Sequence, residues 1–97
     1  MHRKLLTVIT EEALERPLIK IINAAGARGY TITEAWGSGC RGVRATGIEQ
    51  GANIRVEIIC EKSVAWEIAQ TLHEKYFRDF AMVLYLSDVE VIRGEKF

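Results

Sequence analysis

The spacing of apolar residues changes from segment to segment along the chain, and each change marks an element. Leu5 to Thr10 is short and apolar with β-branched Val8 and Ile9, which predicts a first strand. Thr10-Glu11-Glu12 then reads as a helix start, an N-cap followed by acidic residues. Pro17 fits only a first helical turn, so the regular helix is expected from Leu14 or Glu15 to Ala25 with a loose entry. Leu14, Leu18, Ile21, Ile22 and Ala25 then form one apolar stripe, and Gly26 ends the helix. Tyr30 to Trp36 is rich in β-formers and predicts a second strand. Asn53 to Lys62 alternates: Ile54, Val56, Ile58 and Cys60 share one face, and Arg55, Glu57 and Glu61 the other. Ser63 is the expected cap of a second helix, Val64 to about Phe77, with a stripe of Ala65, Ile68, Ala69, Leu72 and Tyr76. Met82 to Leu86 predicts a fourth strand, extending with a break to Val91.

The order βαββαβ implies an α+β, ferredoxin-like sandwich: a four-stranded antiparallel sheet with both helices on one face. Thr31, Thr33, Ile59 and other half-apolar positions fall on the opposite face, which calls for cover by other subunits. A length of 97 residues fits one domain over positions 1–97. With 48% hydrophobic and 27% charged residues, the composition is that of a globular chain rather than a disordered one. Thirteen basic residues balance thirteen acidic ones, which argues against a general nucleic-acid or membrane-surface binder and leaves room only for a local basic site. No apolar run approaches the roughly 18 residues of a membrane span, and no signal-peptide core follows Met1, so a cytoplasmic location is expected. Cys40 and Cys60 are too few for a disulfide framework or a zinc motif and read as reduced thiols.

That local basic site lies between the second and third strands. Gly37, Gly39, Gly42, Gly47 and Gly51 are clustered there with Arg41 and Arg44 among them. The connection is about 16 residues long, well beyond an ordinary hairpin loop, a length that is normally functional or disordered. Glycine lets backbone N–H groups turn together into a concavity, and arginine supplies forked donors for phosphate or carboxylate. Gly37-Ser38-Gly39-Cys40-Arg41-Gly42 spells G-x-G-x-x-G, but Val43 to Ala52 carries no helical stripe, so the dinucleotide fingerprint lacks its helix. No Gly-Lys-Ser/Thr follows, which excludes a P-loop. An anion nest at Gly39 and Cys40 with Arg41 and Arg44 remains, alongside the plainer reading of a hairpin tip with solvated arginines. Trp36 at the loop base suits either stacking on a base or packing on the core. His2 and His73 are isolated in sequence, and no triad, Cys-His pair or paired carboxylates can be argued from spacing, so no catalytic residue and no metal ligand is assigned.

Four segments, Gly26-Ala27-Arg28-Gly29-Tyr30-Thr31, Gly37-x-Gly39-x-Arg41-x-Val43-Arg44, Ala52-Asn53-Ile54 and Lys75-Tyr76-Phe77-Arg78-Asp79-Phe80, resemble the PII signal-transduction superfamily. The likeness is greatest to its PII-like branch associated with bicarbonate transport and carboxysomes, and spans Leu5 through Phe97. Conventional PII proteins have a basic, glycine-containing loop before the last strand; here Arg78-Asp79-Phe80-Ala81 stands in its place. The resemblance implies a non-enzymatic homotrimer with adenine-nucleotide sites between subunits. The connection becomes a T-loop whose base, Gly37, Ser38, Gly39, Cys40 and Arg41, holds phosphate, with Arg44 reaching it from further along. AMP or ADP is the implied effector, with ATP and cyclic AMP as further candidates, and bicarbonate as a second ligand of the same site. The loop tip, Thr46, Gly47, Ile48, Glu49 and Gln50, would meet the regulated partner, a bicarbonate transporter or carboxysome component. Membrane or carboxysome association would then come only through that partner. Relatives often have lysine and serine where Ser38 and Cys40 stand, which favours smaller adenylates here. Two other classes share this topology: a slow nucleotide diphosphatase or acylphosphatase-like enzyme, and a metal-tolerance or amino-acid-binding trimer.

Overall fold

A computed structural model describes residues 1–37 and 52–93. Strands β1 (His2–Glu11), β2 (Thr31–Ala35), β3 (Asn53–Cys60) and β4 (Met82–Glu90) alternate with helices α1 (Glu15–Ala24) and α2 (Lys62–Tyr76) as βαββαβ. The sheet runs β2-β3-β1-β4 with every neighbouring pair antiparallel. This is the ferredoxin-like α+β arrangement the sequence implies.

The buried core lies between the sheet and the helices. Leu6 and Val8 of β1 and Ile54, Val56, Ile58 and Cys60 of β3 meet Leu14, Leu18 and Ile22 from the first helical segment and Ala65, Ile68, Ala69 and Leu72 from α2. Both helical stripes and the alternation of β3 are therefore as expected. Cross-strand partners share a face. Ile32 and Glu34 of β2, paired with Val56 and Ile54, thus belong to the helix side, and so do Met82, Leu84 and Leu86 of β4, paired with Thr10, Val8 and Leu6. The opposite face carries Leu5, Thr7, Ile9, Arg55, Glu57, Ile59, Thr31, Thr33, Val83 and Tyr85. Among the described residues, helices cover only one side of this sheet.

Several boundaries differ from the sequence reading, each for a physical reason. Thr10 does not cap a helix: it is a fully buried strand residue whose hydroxyl donates to the Ala81 carbonyl at 2.7 Å. The chain enters α1 through a 3-10 turn at Glu12–Leu14, leaving Pro17 in the first turn, where its missing N–H costs no helical bond. At the other end Gly26 adopts φ +92°, with Gly26 N–H on Asn23 O and Ala27 N–H on Ile22 O, the paired bonds of a Schellman stop. Ser63 is not the cap of α2, because the helix begins at Lys62, and the preceding Glu61 makes no side-chain capping bond. β4 is unbroken to Glu90, since β1 pairs with it continuously from His2 to Thr10 and Lys4 forms an ion pair with Asp88 across the two strands.

Candidate functional site

Antiparallel pairing gathers distant segments at one end of the sheet. Asn53, at the start of β3, pairs with both Ala35 and Glu11, and Thr10 pairs with Met82 at the start of β4. Trp36, Gly37 and Ala52, the described ends of the long connection, thus share this end with the β1–α1 junction and the α2–β4 turn. Gly37 is exposed, and a Cβ built there would meet nothing within 4 Å. Its backbone is uncovered rather than crowded. Trp36 is 92% exposed, so of the two roles the sequence allows it, packing on this chain's own core is excluded.

Backbone donors near the connection are largely committed. Glu12 N–H donates to Ala52 O at 3.0 Å, which ties the β1–α1 junction to the foot of β3. Asp79 and Phe80 N–H both donate to Tyr76 O, at 3.2 and 3.0 Å, and Ala81 N–H donates to a Glu11 carboxylate oxygen at 3.2 Å. The α2–β4 turn therefore presents no open run of N–H groups from 79 to 81 that could cradle phosphate. Tyr76 and Phe80 brace it edge to face at 5.6 Å. Arg78 is exposed on this turn. Glu11 and Glu12 add negative charge at the same end. An acylphosphatase-like cradle at the β1–α1 junction is likewise disfavoured, with Glu12 N–H already bonded and two carboxylates beside it.

Of the residues expected to hold phosphate, Gly37 is placed as above. Ser38, Gly39, Cys40, Arg41 and Arg44 lie outside the described residues, as do Thr46, Gly47, Ile48, Glu49 and Gln50 of the expected partner-binding tip. Among the described residues, no group of three or more His, Cys, Asp and Glu side chains is placed to hold a metal ion. His73 packs against Phe77 in a tilted arrangement, with ring centroids 4.6 Å apart and an interplanar angle of 47°. Cys60 is a free buried thiol whose pKa is pushed up by burial and, secondarily, by the Glu61 charge, which keeps it protonated and unreactive.

A second concavity went unread in the sequence. A cleft of about 440 Å³ lies along the β4 edge, lined by Trp66, Ala69, Gln70, His73, Glu74 and Leu84. Trp66, Ala69 and His73 recur at i, i+3 and i+7 on α2, with Phe77 following at its C-cap, a largely aromatic stripe that periodicity could have revealed beside the core stripe. No helix among the described residues is long and apolar enough to cross a membrane.

The family model for nitrogen regulatory protein P-II matches residues 3–96. A Thermus thermophilus protein described as a PII-like signaling protein is 43% identical, over 100% of this chain and 96% of its own, with a TM-score of 0.85. CPII of Thiomonas intermedia, a structure bound to ADP, AMP and acetate, is 22% identical over 99% of this chain and 94% of its own, with a TM-score of 0.83. The same protein bound to ADP and bicarbonate is 23% identical over 100% and 95%, also with a TM-score of 0.83. At those lower identities the likeness is one of fold. The match across almost the whole sequence, on the ferredoxin-like frame with its long β2–β3 connection, is decisive: this chain belongs to the nitrogen regulatory protein P-II family.

Proposed function

We propose that residues 1–97 form one domain and that three copies assemble into a non-enzymatic sensor of adenine nucleotides and bicarbonate. AMP or ADP binds at clefts between subunits, its phosphate held by Gly37, Ser38, Gly39, Cys40 and Arg41, with Arg44 adding a second cation. Bicarbonate, a planar anion suited to the same forked donors, binds beside the nucleotide. The occupied site orders the Gly37–Ala52 connection, and Thr46 to Gln50 carry that change to a bicarbonate transporter or carboxysome component. Such coupling requires each ligand to bind the two loop states unequally.

One observation carries the reading. The family's long connection begins here at an uncovered Gly37, while the neighbouring turn has its N–H groups from Asp79 to Ala81 engaged internally. That arrangement supports phosphate recognition by the glycine- and arginine-rich span. The Thiomonas CPII complexes with ADP, AMP and bicarbonate support the ligand classes by kinship. The likeness of the four sequence segments to the carbon-linked branch supports the partner class.

Calorimetric titration with AMP, ADP, ATP and cyclic AMP, each with and without bicarbonate, tests this directly. Arg41→Ala should weaken adenylate binding by about 1.5–3 kcal/mol, the scale of a hydrogen bond to a charged group. Wild-type affinity in that variant removes Arg41 from the site. Phosphate release from ADP or ATP with Mg²⁺ at enzymatic rates would instead favour the diphosphatase reading.

A further inference from the structure

We infer that the groove along the β4 edge receives Trp36 of a second copy of this chain, an inference resting on the oligomeric part of the reading above. Among the described residues, β2 and β4 are the two edges of the sheet, each paired on one side only. The four strands alternate in direction, so a rotated copy can bring its β2 beside β4 without breaking the antiparallel order. Such a contact is head-to-tail, joining unlike edges, and it forms a ring where the rotation between copies closes.

The protruding group and the recess lie at opposite edges of the sheet. Trp36 follows β2 directly, one residue past its last paired position, Ala35. Leu84, which lines the groove, is on the helix side of β4, opposite Val8. An indole left 92% exposed at one edge thus meets, at the other edge of the next copy, a cleft of about 440 Å³ walled by Trp66 and His73. Trp66 is itself 55% exposed, so both partners of the contact have apolar area to bury. The polar end of the groove suits the indole N–H. The Gln70 amide N–H donates to the Glu74 carboxylate at 3.4 Å, and the Gln70 carbonyl oxygen is an acceptor on the same side chain.

The test uses the full chain. Sedimentation gives the association constant, and the Trp66→Phe variant, with Trp36 as its sole tryptophan, reports the environment of that residue by fluorescence. Trp36 emission should be blue-shifted in the oligomer and move to the red as dilution dissociates it. Trp36→Ser should raise the dissociation constant of the oligomer by about 10- to 100-fold, as truncation of an aromatic anchor does. Gln70→Phe, an exposed position that fills the groove, should weaken association likewise, with circular dichroism showing the fold retained. A stable oligomer in which Trp36 emits as in water and Trp36→Ser associates like the wild type overturns this contact alone. A wild-type chain that stays monomeric at every concentration overturns the oligomeric reading and the contact together.

Discussion

Replacing Thr10 by valine removes one hydroxyl and keeps the β-branched shape, and the structure assigns that hydroxyl a specific task. Thr10 is fully buried, and its Oγ1 donates to the Ala81 carbonyl at 2.7 Å across 71 residues of sequence. Ala81 is 7% exposed, so water cannot readily replace the lost donor. The expected cost is that of a buried acceptor deprived of a partner, about 1–3 kcal/mol. For a chain of this size each kcal/mol corresponds to roughly 4–8 °C in Tm. The assay is thermal and urea unfolding followed by far-ultraviolet circular dichroism, at one fixed chain concentration because assembly contributes to apparent stability. Thr10→Ser keeps the donor and serves as the control. Combining Thr10→Val with Glu11→Gln tests coupling, since the Glu11 carboxylate accepts the Ala81 N–H on the same turn and contacting pairs are seldom additive. If Thr10→Val is as stable as the wild type while Thr10→Ser is not, the methyl matters and the hydrogen bond does not, which refutes the reasoning.

Gly26→Ala should destabilise by about 1 kcal/mol although its new Cβ meets nothing within 4 Å, because the whole cost is backbone strain at φ +92°; unchanged urea midpoints would show the helix stop is not constrained. In a Cys40→Ser background, Cys60 should react with a thiol reagent only at the rate of unfolding, and immediate labelling of the native chain would contradict its burial. Because the folded pKa of Cys60 is raised, its contribution to stability is complete below the ordinary thiol pKa and is lost as pH rises through the folded value. Asp88 behaves oppositely. The Lys4 hydrogen bond, and then the Lys4 charge, lower its pKa, so its stabilisation is present above the ordinary carboxylate range and lost as pH falls through the folded value. Melting curves of the wild type and Asp88→Asn should therefore converge in acid, and a constant gap at all pH values would remove the ion pair as the cause.

Local pattern determined the elements of this protein, the core face of each helix and of β3, and the place where a chemically unusual connection interrupts them. Those features are legible because a stripe or an alternation is written in residues a few positions apart, and burial of one face then follows. Only the tertiary structure decided what Thr10 does, since its apparent role as a cap gave way to a hydrogen bond with a residue 71 positions away. It also decided that the α2–β4 turn has spent its N–H groups from 79 to 81 inside the fold. Trp36 shows the division most plainly. The sequence offered stacking or core packing with equal force, because an aromatic at a strand end satisfies both patterns. The fold left the side chain 92% exposed and opened a groove at the opposite sheet edge. That juxtaposition arises from strand order, a property of long-range pairing that no local run of residues encodes.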